Sequence, residues 1–243
     1  MITGIVIALP DEVSSLSSTK IGKGECVFIN EKTLIVRSGA GPENAKKAAQ
    51  SLIDQGAGRL ISWGCAAALK TGLQPGDLVI PDTLHPEEHH QFSQLTITSP
   101  WFQQVLEQLS ALQPFTGSLA ESHSIVAKSS DKKLIHKQTR AIALDMESIA
   151  VAKTAKANNI DVLVIRCIAD PVTLNLPQAV CYALNPQGDI VLIKLLWFLL
   201  THPAELPNLV KLGLNFNAAK NKLKLVAKHL VTIVGFEQYQ AMQ

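Results

Sequence analysis

Short apolar runs rich in β-branched residues alternate along this chain with helix-like segments, and this alternation constrains the fold more than any other feature. The clearest runs are residues 4–9 (GIVIAL), 59–63 and 161–169 (DVLVIRCIA), each typical of a buried strand. An Ala-rich segment follows Pro42 and ends at Gly56, as expected of a helix, because proline suits a first helical turn and glycine a helix end. The pattern predicts an α/β fold of three layers (α/β/α), with a central mixed sheet covered by helices on both faces.

The remaining segments are assigned from the same local signals. The further predicted strands are residues 25–30, 33–38, 77–80, 124–128 and 141–144. The further predicted helices are residues 100–112, 132–139 with Asp131 as their cap, and 146–157, and the chain from residue 188 onward is predicted to be mostly helical with breaks at Pro203 and Pro207. Residues 64–68 and 85–99 are predicted to be loops.

Composition limits the classes of protein to which the chain can belong. Its 243 residues, 47% apolar and 17% charged, predict one globular domain over residues 1–243. A net charge of +2 argues against nucleic-acid binding. The four cysteines form no CxxC pair, which argues against a zinc site or a disulfide framework and favours a reducing cytoplasm. The longest apolar run, residues 190–200, is well short of the ~20 residues that a membrane-spanning helix needs.

Three acidic residues stand at the edges of predicted elements, next to apolar sequence. Glu12 follows the first strand, Glu147 opens a helix, and Asp170 lies at the carboxyl end of strand 161–169, where ligands bind in α/β sheets. A partly desolvated carboxyl group has a raised pKa and suits acid–base work near neutral pH. Each residue also has a structural alternative. Glu12 is a solvated loop residue, Glu147 is a charge in the first turn of a helix, and Asp170 forms a turn before Pro171.

The glycine-rich segment SGAGPENA fits neither the dinucleotide-binding pattern nor the P-loop. Gly39 and Gly41 therefore have two interpretations. They form only a turn, or they let the backbone approach an anion or a sugar at the start of a helix.

Five segments of this chain, in order, resemble the signature blocks of the purine nucleoside phosphorylase and methylthioadenosine/adenosylhomocysteine nucleosidase superfamily. They are GIVIALPDEV, SGAGPENA, LISWGCAAALKTGLQPGDLVIPD, ALDMESIAVAKTA and VLVIRCIADP. Within the superfamily, the DMES variant, the ADP strand ending and the tail WFLLTHPAELPNLVKL are similar to the hopanoid-associated phosphorylases, whose members are linked to removal of adenine from adenosylhopane. The resemblance implies a nucleoside phosphorylase-like fold, cleavage of the N-glycosidic bond of an adenine nucleoside by phosphorolysis or hydrolysis, and a homo-oligomer. It implies no cofactor, with phosphate as the alternative co-substrate to water.

The resemblance also implies roles for individual residues. Asp170 matches the acid that protonates or hydrogen-bonds the purine N7. Glu147, with Met146 beside it, matches the residues that hold the ribose, the carboxylate accepting hydrogen bonds from the 2′- and 3′-hydroxyls. Glu12 matches the glutamate that orients the attacking water in the nucleosidases. Asp170 and Glu12 are thus the predicted catalytic residues.

Two glycine-containing loops complete the predicted substrate site. Gly41, Gly64 and Cys65 stand where the family's backbone approaches the sugar or the nucleophile, and they are predicted to bind substrate. The second loop departs from the family's TGSAGG or GSCGA, because it reads WGCAAA, with Cys65 in the serine position. Ser62 stands where several phosphorylases have an arginine that binds phosphate. Arg166 matches a family position, and it has either a role in the site or a structural role at the strand end. These departures favour hydrolysis at Glu12 over phosphorolysis.

Two other features have a functional and a structural interpretation. The segment with His85, His89 and His90 beside two glutamates is a solvated polar loop or a metal site; we predict no metal. Residues 190–230 form core helices with a basic solvated face, or an apolar and basic surface that contacts a membrane and admits a lipid-linked nucleoside.

The alternatives to an enzyme are a non-catalytic nucleoside-binding module and a membrane-peripheral protein. The predicted location is the cytoplasm, with peripheral contact at the inner membrane face as the alternative.

Overall fold

A mixed β-sheet forms the centre of the molecule. The computed structural model describes residues 1–88, 91–183 and 192–235. The strands in those residues are β1 (Ile2–Ile7), β2 (Cys26–Asn30), β3 (Thr33–Arg37), β4 (Ala57–Ala68), β5 (Leu78–Val79), β6 (Thr83–His85), β7 (Glu87–Glu88), β8 (Gln91–Phe92), β9 (Leu95–Thr96), β10 (Ser118–Glu121), β11 (Ala143–Asp145) and β12 (Asp161–Asp170). The helices are α1 (Pro10–Val13), α2 (Pro42–Asp54), α3 (Pro100–Gln108), α4 (Ser129–Thr139), α5 (Ser148–Ala157), α6 (Gln178–Ala183), α7 (Leu192–Thr201), α8 (Leu206–Ala227) and α9 (Leu230–Ile233), with 3-10 turns at Ser110–Leu112 and Pro203–Glu205.

Strand β4 is the hub of the sheet. It pairs in parallel with β1 on one side and with β12 on the other, and its last two residues pair antiparallel with β11. The sheet runs β2-β3-β1-β4-β11-β10-β6-β9, with β12 against β4 and β5 against β12. Because β1, β4 and β12 are parallel, their carboxyl ends meet at one edge, where α/β sheets bind ligands.

Helices cover the sheet on both faces. On one face α2 and α5 contribute a core that includes Ala49, Leu52 and Ala152. On the other face α3, α8 and α9 contribute a core that includes Trp101 and Leu223. The predicted three-layer α/β/α fold with a central mixed sheet is therefore confirmed.

Three local predictions are wrong, and each error has a physical reason. Residues 64–68 are not a loop but the end of β4, because β12 offers a parallel ladder in which Gly64 pairs with Arg166 and Cys65 with Cys167. The strand expected at 124–128 lies instead at Ser118–Glu121, where β6 and β11 provide partners on both sides. The segment 85–99 contains β7, β8 and β9 rather than loop alone. Its polar sequence has no strand periodicity, and these short strands form because β7 pairs with β8 and β9 pairs with β6.

The helix predictions need smaller corrections. Helix α4 begins at Ser129, so Asp131 lies in its first turn and Lys128 stands at the cap position. Pro207 does not separate two helices, because it lies in the first turn of α8, where its missing N–H has no helical partner to lose. Within the described residues, no helix is long and apolar enough to cross a membrane.

Candidate active site

Glu12 lies in α1, directly after the carboxyl end of β1, and its carboxylate is turned into the protein. The residue is 4% exposed. Its Oε1 accepts a hydrogen bond of 2.7 Å from the backbone N–H of Cys65, and its Oε2 accepts one of 3.0 Å from the N–H of Leu9. A Cβ added to Gly64 would lie 2.7 Å from Oε1, closer than real Cβ atoms approach. Gly64 is therefore required for the carboxylate of Glu12 to reach β4.

Glu147 immediately precedes α5, and its Oε1 accepts a 2.8 Å hydrogen bond from the N–H of Gly41. Gly41 caps α2 with a φ of 94°, a conformation that side-chain-bearing residues rarely adopt. This contact joins the start of α2 to the start of α5. Gly41 and Gly64, both predicted to bind substrate, thus act in this structure by allowing the two carboxylates to take their positions.

Arg166 stands on β12 between these carboxylates and is only 2% exposed. Its Nε donates to Asp145 Oδ2 at 2.5 Å, its Nη2 to Ser62 Oγ at 2.7 Å, and its Nη1 to the carbonyl of Ile165 at 3.3 Å. The hydroxyl of Ser148 donates to the same Asp145 oxygen. Each of the three guanidinium nitrogens is therefore engaged by the protein itself.

One cation balances three carboxylates at this point. Burial raises the pKa of Glu12 although the charge of Arg166 lowers it. Burial and the charge of Asp145 raise the pKa of Glu147 to about 7. Burial alone would lower the pKa of Arg166, but the charges of Asp145, Glu147 and Glu12 outweigh it and raise that pKa. A carboxyl group with a pKa of about 7, beside a second one whose pKa burial also raises, is typical of a catalytic site.

Asp170 ends β12 and forms an ion pair with Lys132 of α4. The distance from Lys132 Nζ to Asp170 Oδ1 is 2.6 Å, with the lysine side chain 0% and the aspartate side chain 12% exposed. Burial raises the pKa of Asp170, and the charge of Lys132 lowers it. Asp170 thus keeps some access to solvent while its partner has none.

Strand pairing places Asp170 beside the Glu12 site. Asp170 pairs with Ala67 of β4, and Cys65, which holds Glu12, lies two residues earlier on the same strand, a separation of about 7 Å. Cys65 and Ala67 face the same side of β4, and both are partly exposed, between the buried Gly64, Ala66 and Ala68. The structure therefore gathers Glu12 and Glu147 around Arg166 and puts Asp170 one step along the same strand pair.

The other predicted site residues are placed as follows. Met146 is partly buried, between Asp145 and Glu147 in sequence. Cys65 contacts Glu12 through its backbone, and burial together with the charge of Glu12 raises the pKa of its thiol well above the usual value. The thiol therefore stays protonated and unreactive near neutral pH.

Sequence reasoning missed three residues of this site: Asp145, Ser148 and Lys132. Asp145 had a weak signal, since it ends a strand directly before a helix. Ser62 and Arg166 were noticed, but their mutual contact needs β4 and β12 side by side. For Lys132 there was no signal, because α4 is polar and a fully buried lysine is rare.

The histidine-bearing segment gives no metal site in the part of the chain described. There, no group of three His, Cys, Asp or Glu side chains could hold a metal ion. His85 Nδ1 lies 3.0 Å from the carbonyl oxygen of Ser93. His89 and His90 lie outside the described residues, so the expectation of no metal stays a prediction.

Comparison with known proteins gives a consistent set of similarities. The model of the phosphorylase superfamily matches residues 3–186. A 5′-methylthioadenosine/S-adenosylhomocysteine nucleosidase of Staphylococcus aureus is 25% identical over an alignment of 194 residues, and the alignment covers 69% of this chain and 85% of that protein. A Helicobacter pylori MTAN mutant with 5′-methylthioadenosine in its active site superposes with a TM-score of 0.70 at 15% identity, covering 96% of this chain and 98% of that one. The futalosine hydrolase of Helicobacter pylori gives 0.69 at 16% identity, covering 96% and 97%.

The raised pKa of Glu147 predicts a pH-dependent cost in stability. The folded state binds this proton more tightly than the unfolded state, so the cost is absent below the ordinary pKa near 4.5, grows as the pH rises, and is complete above about 7. Glu147→Gln keeps an acceptor for Gly41 without the charge. We expect the melting temperature of Glu147→Gln, relative to the unsubstituted protein, to increase between pH 5 and pH 8.

Glu43→Gln is the matched control, because Glu43 lies exposed in the first turn of α2. It should show no such increase with pH. A difference for Glu147→Gln that is the same at pH 5 and pH 8 would contradict the assignment of a buried, proton-binding carboxylate.

Proposed function

The chain belongs to the phosphorylase superfamily, and from this premise we propose that it is an enzyme that cleaves the N-glycosidic bond between adenine and the ribose of a purine nucleoside. One observation carries the proposal. The carboxylates of Glu12 and Glu147 meet at one buried arginine, and Asp170 ends the strand on which that arginine stands. The S. aureus relative is named for the same kind of reaction.

The chemistry assigns one task to each carboxyl group. Glu147 accepts hydrogen bonds from the ribose hydroxyls, and its negative charge stabilises the oxocarbenium-like sugar as the bond breaks. Asp170 delivers a proton to the purine ring, which turns adenine into a better leaving group. Glu12 accepts a proton from the attacking water. General acid or base catalysis of this kind is worth typically about 10²–10⁴ in rate for each group.

We propose water rather than phosphate as the attacking group. Phosphate would enter a site where three carboxylates face a single guanidinium. The nitrogens of Arg166 already donate to Asp145, Ser62 and a backbone carbonyl. Ser62, at the position where several phosphorylases carry an arginine, is 0% exposed and so cannot reach an anion. Like-charge repulsion in a low-dielectric site therefore favours a neutral nucleophile.

The acid role of Asp170 predicts the effect of one substitution. Asp170→Asn keeps the shape of the side chain but cannot give up a proton, so adenine release should fall by about 10²–10⁴ while nucleoside binding survives. Adenine release is followed by absorbance, and binding by calorimetry. Asp161→Asn, at the exposed start of the same strand, is the control and should retain full activity.

Two results would count against this assignment. Equal activity of Asp170→Asn and the unsubstituted protein would remove Asp170 from the acid role. Nucleoside binding without any turnover by the unsubstituted protein would favour the non-catalytic binding module.

The choice of water over phosphate predicts the reaction's dependence on the medium. Turnover should proceed at the same rate in phosphate-free buffer and in about 50 mM phosphate, a concentration that exceeds typical KM values. The sugar product should be free ribose or its 5′-derivative, identified by mass spectrometry. A strict requirement for phosphate, with a sugar 1-phosphate as product, would establish phosphorolysis instead.

For the substrate, we propose a lipid-linked adenine nucleoside, adenosylhopane, presented at a membrane surface. Support comes from exposed apolar side chains on α7 and α8. Trp197 is 66% and Leu200 77% exposed, one turn apart on α7. Leu206, Val210 and Leu214 are 50–66% exposed and recur every four residues, which places them on one face of α8. Exposed patches of this kind mark interaction sites.

Charge supports a lipid surface as the partner of these side chains. Lys194 of α7 and Lys211 of α8 are exposed, and lysines beside an apolar helix face are typical of helices that lie in the interface of anionic membranes. A polycyclic lipid leaves a bilayer only at a cost of roughly 0.8 kcal/mol per methylene group. An enzyme docked on the bilayer avoids most of that cost.

This surface predicts membrane binding that depends on α7. The protein should float with vesicles containing phosphatidylglycerol, and the pair Trp197→Ser and Leu200→Ser should abolish flotation while adenine release from free adenosine is unchanged. Phe28→Ser, an exposed position on β2 at 51%, should not affect flotation. If the unsubstituted protein does not float, or if the α7 variant changes only the oligomer size, the membrane proposal is wrong. The exposed apolar surface would then be a contact with a second copy of the chain.

A further inference from the structure

Lys132 is a fully buried lysine that none of the three proposed catalytic steps uses. It is 0% exposed. Its Nζ donates to Asp170 Oδ1 at 2.6 Å, to the carbonyl of Leu174 at 2.9 Å and to the carbonyl of Pro171 at 3.3 Å. A buried ammonium is costly unless it is paired and hydrogen-bonded, and here each of its three N–H bonds has an acceptor.

The three acceptors differ in what they can do. The carbonyl oxygens of Leu174 and Pro171 only accept, so they retain two of the hydrogens of Nζ in any protonation state. Asp170 accepts as a carboxylate, but it can also donate once it is protonated. The hydrogen between Nζ and Oδ1 can therefore lie on either atom, and every other hydrogen bond is kept in both states.

We propose that Lys132 is the positioning residue that stores the proton which Asp170 delivers to the departing base; this inference rests on the proposed function. A proton leaves Nζ for the carboxyl group of Asp170, and a proton leaves that carboxyl group for the ring nitrogen of adenine as the glycosidic bond breaks. Lys132 is left as a neutral amine that still donates to two carbonyls. Water returns the proton after adenine has left.

Among the described residues, the groups around Asp170 do not compete with Lys132 for the proton. Lys132 faces Asp170 from α4. Strand β4 presents Ala66 and Ala67 there, which do not titrate. On β12 itself the nearest charge is Arg166, which is engaged with Asp145. Lys132 is accordingly the charge that opposes the effect of burial on the pKa of Asp170.

The inference predicts how the pH profile depends on Lys132. With the lysine present, the Lys132–Asp170 pair holds a transferable proton between Nζ and Oδ1. In Lys132→Met, Asp170 holds its proton only below its own pKa. Between pH 5 and pH 9, we expect the loss of adenine release in Lys132→Met to be small below that pKa and to grow by about tenfold for each pH unit above it.

Two further variants separate this role from a structural one. Lys133→Met, at the exposed neighbouring position, should have the profile of the unsubstituted protein. Lys132→Arg keeps a positive charge that is not given up in proteins, so it should fail to restore activity at pH 8. A loss in Lys132→Met that is equal at all pH values, or full activity of Lys132→Arg at pH 8, would overturn the inference.

The unsubstituted protein provides an independent test if Lys132→Met does not fold. Its rate of adenine release from adenosine or methylthioadenosine should not fall between pH 7 and pH 9. A fall of about tenfold per pH unit from pH 7 upward, as for an isolated carboxyl acid, would overturn the role of Lys132 and leave the proposed function standing. Absence of adenine release from adenosine, methylthioadenosine and an adenosylated lipid at every pH would overturn the proposed function and this inference together.

Discussion

The buried guanidinium of Arg166 is the interaction on which the rest of the site depends. It bonds to Asp145 at the end of β11 and to Ser62 on β4, and its charge acts on Glu12 after β1 and on Glu147 before α5. Removing one member of a buried ion pair typically costs about 3–5 kcal/mol, because the partner is left uncompensated. The central strands and the site are thus held by the same charge, and a change at Arg166 would affect both.

The same arrangement supports the proposal of a neutral nucleophile. Two buried cations lie near the sheet edge, and both are fully engaged: Arg166 with Asp145 and Lys132 with Asp170. Neither is free to receive an incoming anion. The carboxyl groups of Glu12 and Glu147, which accept hydrogen bonds from backbone N–H groups, have pKa values raised by burial. This arrangement supports the proposal that water, rather than phosphate, is the attacking group.

Sequence alone predicted the layers of this fold and its superfamily, and it singled out three acidic residues that follow or precede the elements at one sheet edge, because alternating strands and helices and short motifs are local features. It failed where pairing between distant segments decides the outcome. Residues 64–68 look like a loop until β12 lies beside them, and residues 118–121 become a strand only between β6 and β11. Lys132 stands in a polar helix, and its burial follows from the path of residues 171–174 over α4. The single-domain organisation, the oligomeric state and the individual substrate contacts stay predictions.

The most direct test of this account is a crystal structure of the protein with an adenine C-nucleoside, in which a carbon–carbon bond replaces the bond to be cleaved. The account predicts the ribose hydroxyls within hydrogen-bond distance of Glu147, the imidazole-side nitrogen of the base beside Asp170, and an ordered water between Glu12 and the anomeric carbon. A ligand bound elsewhere, for example in the groove lined by Lys46, Glu121 and Lys153, with none of the three carboxyl groups in contact, would contradict it.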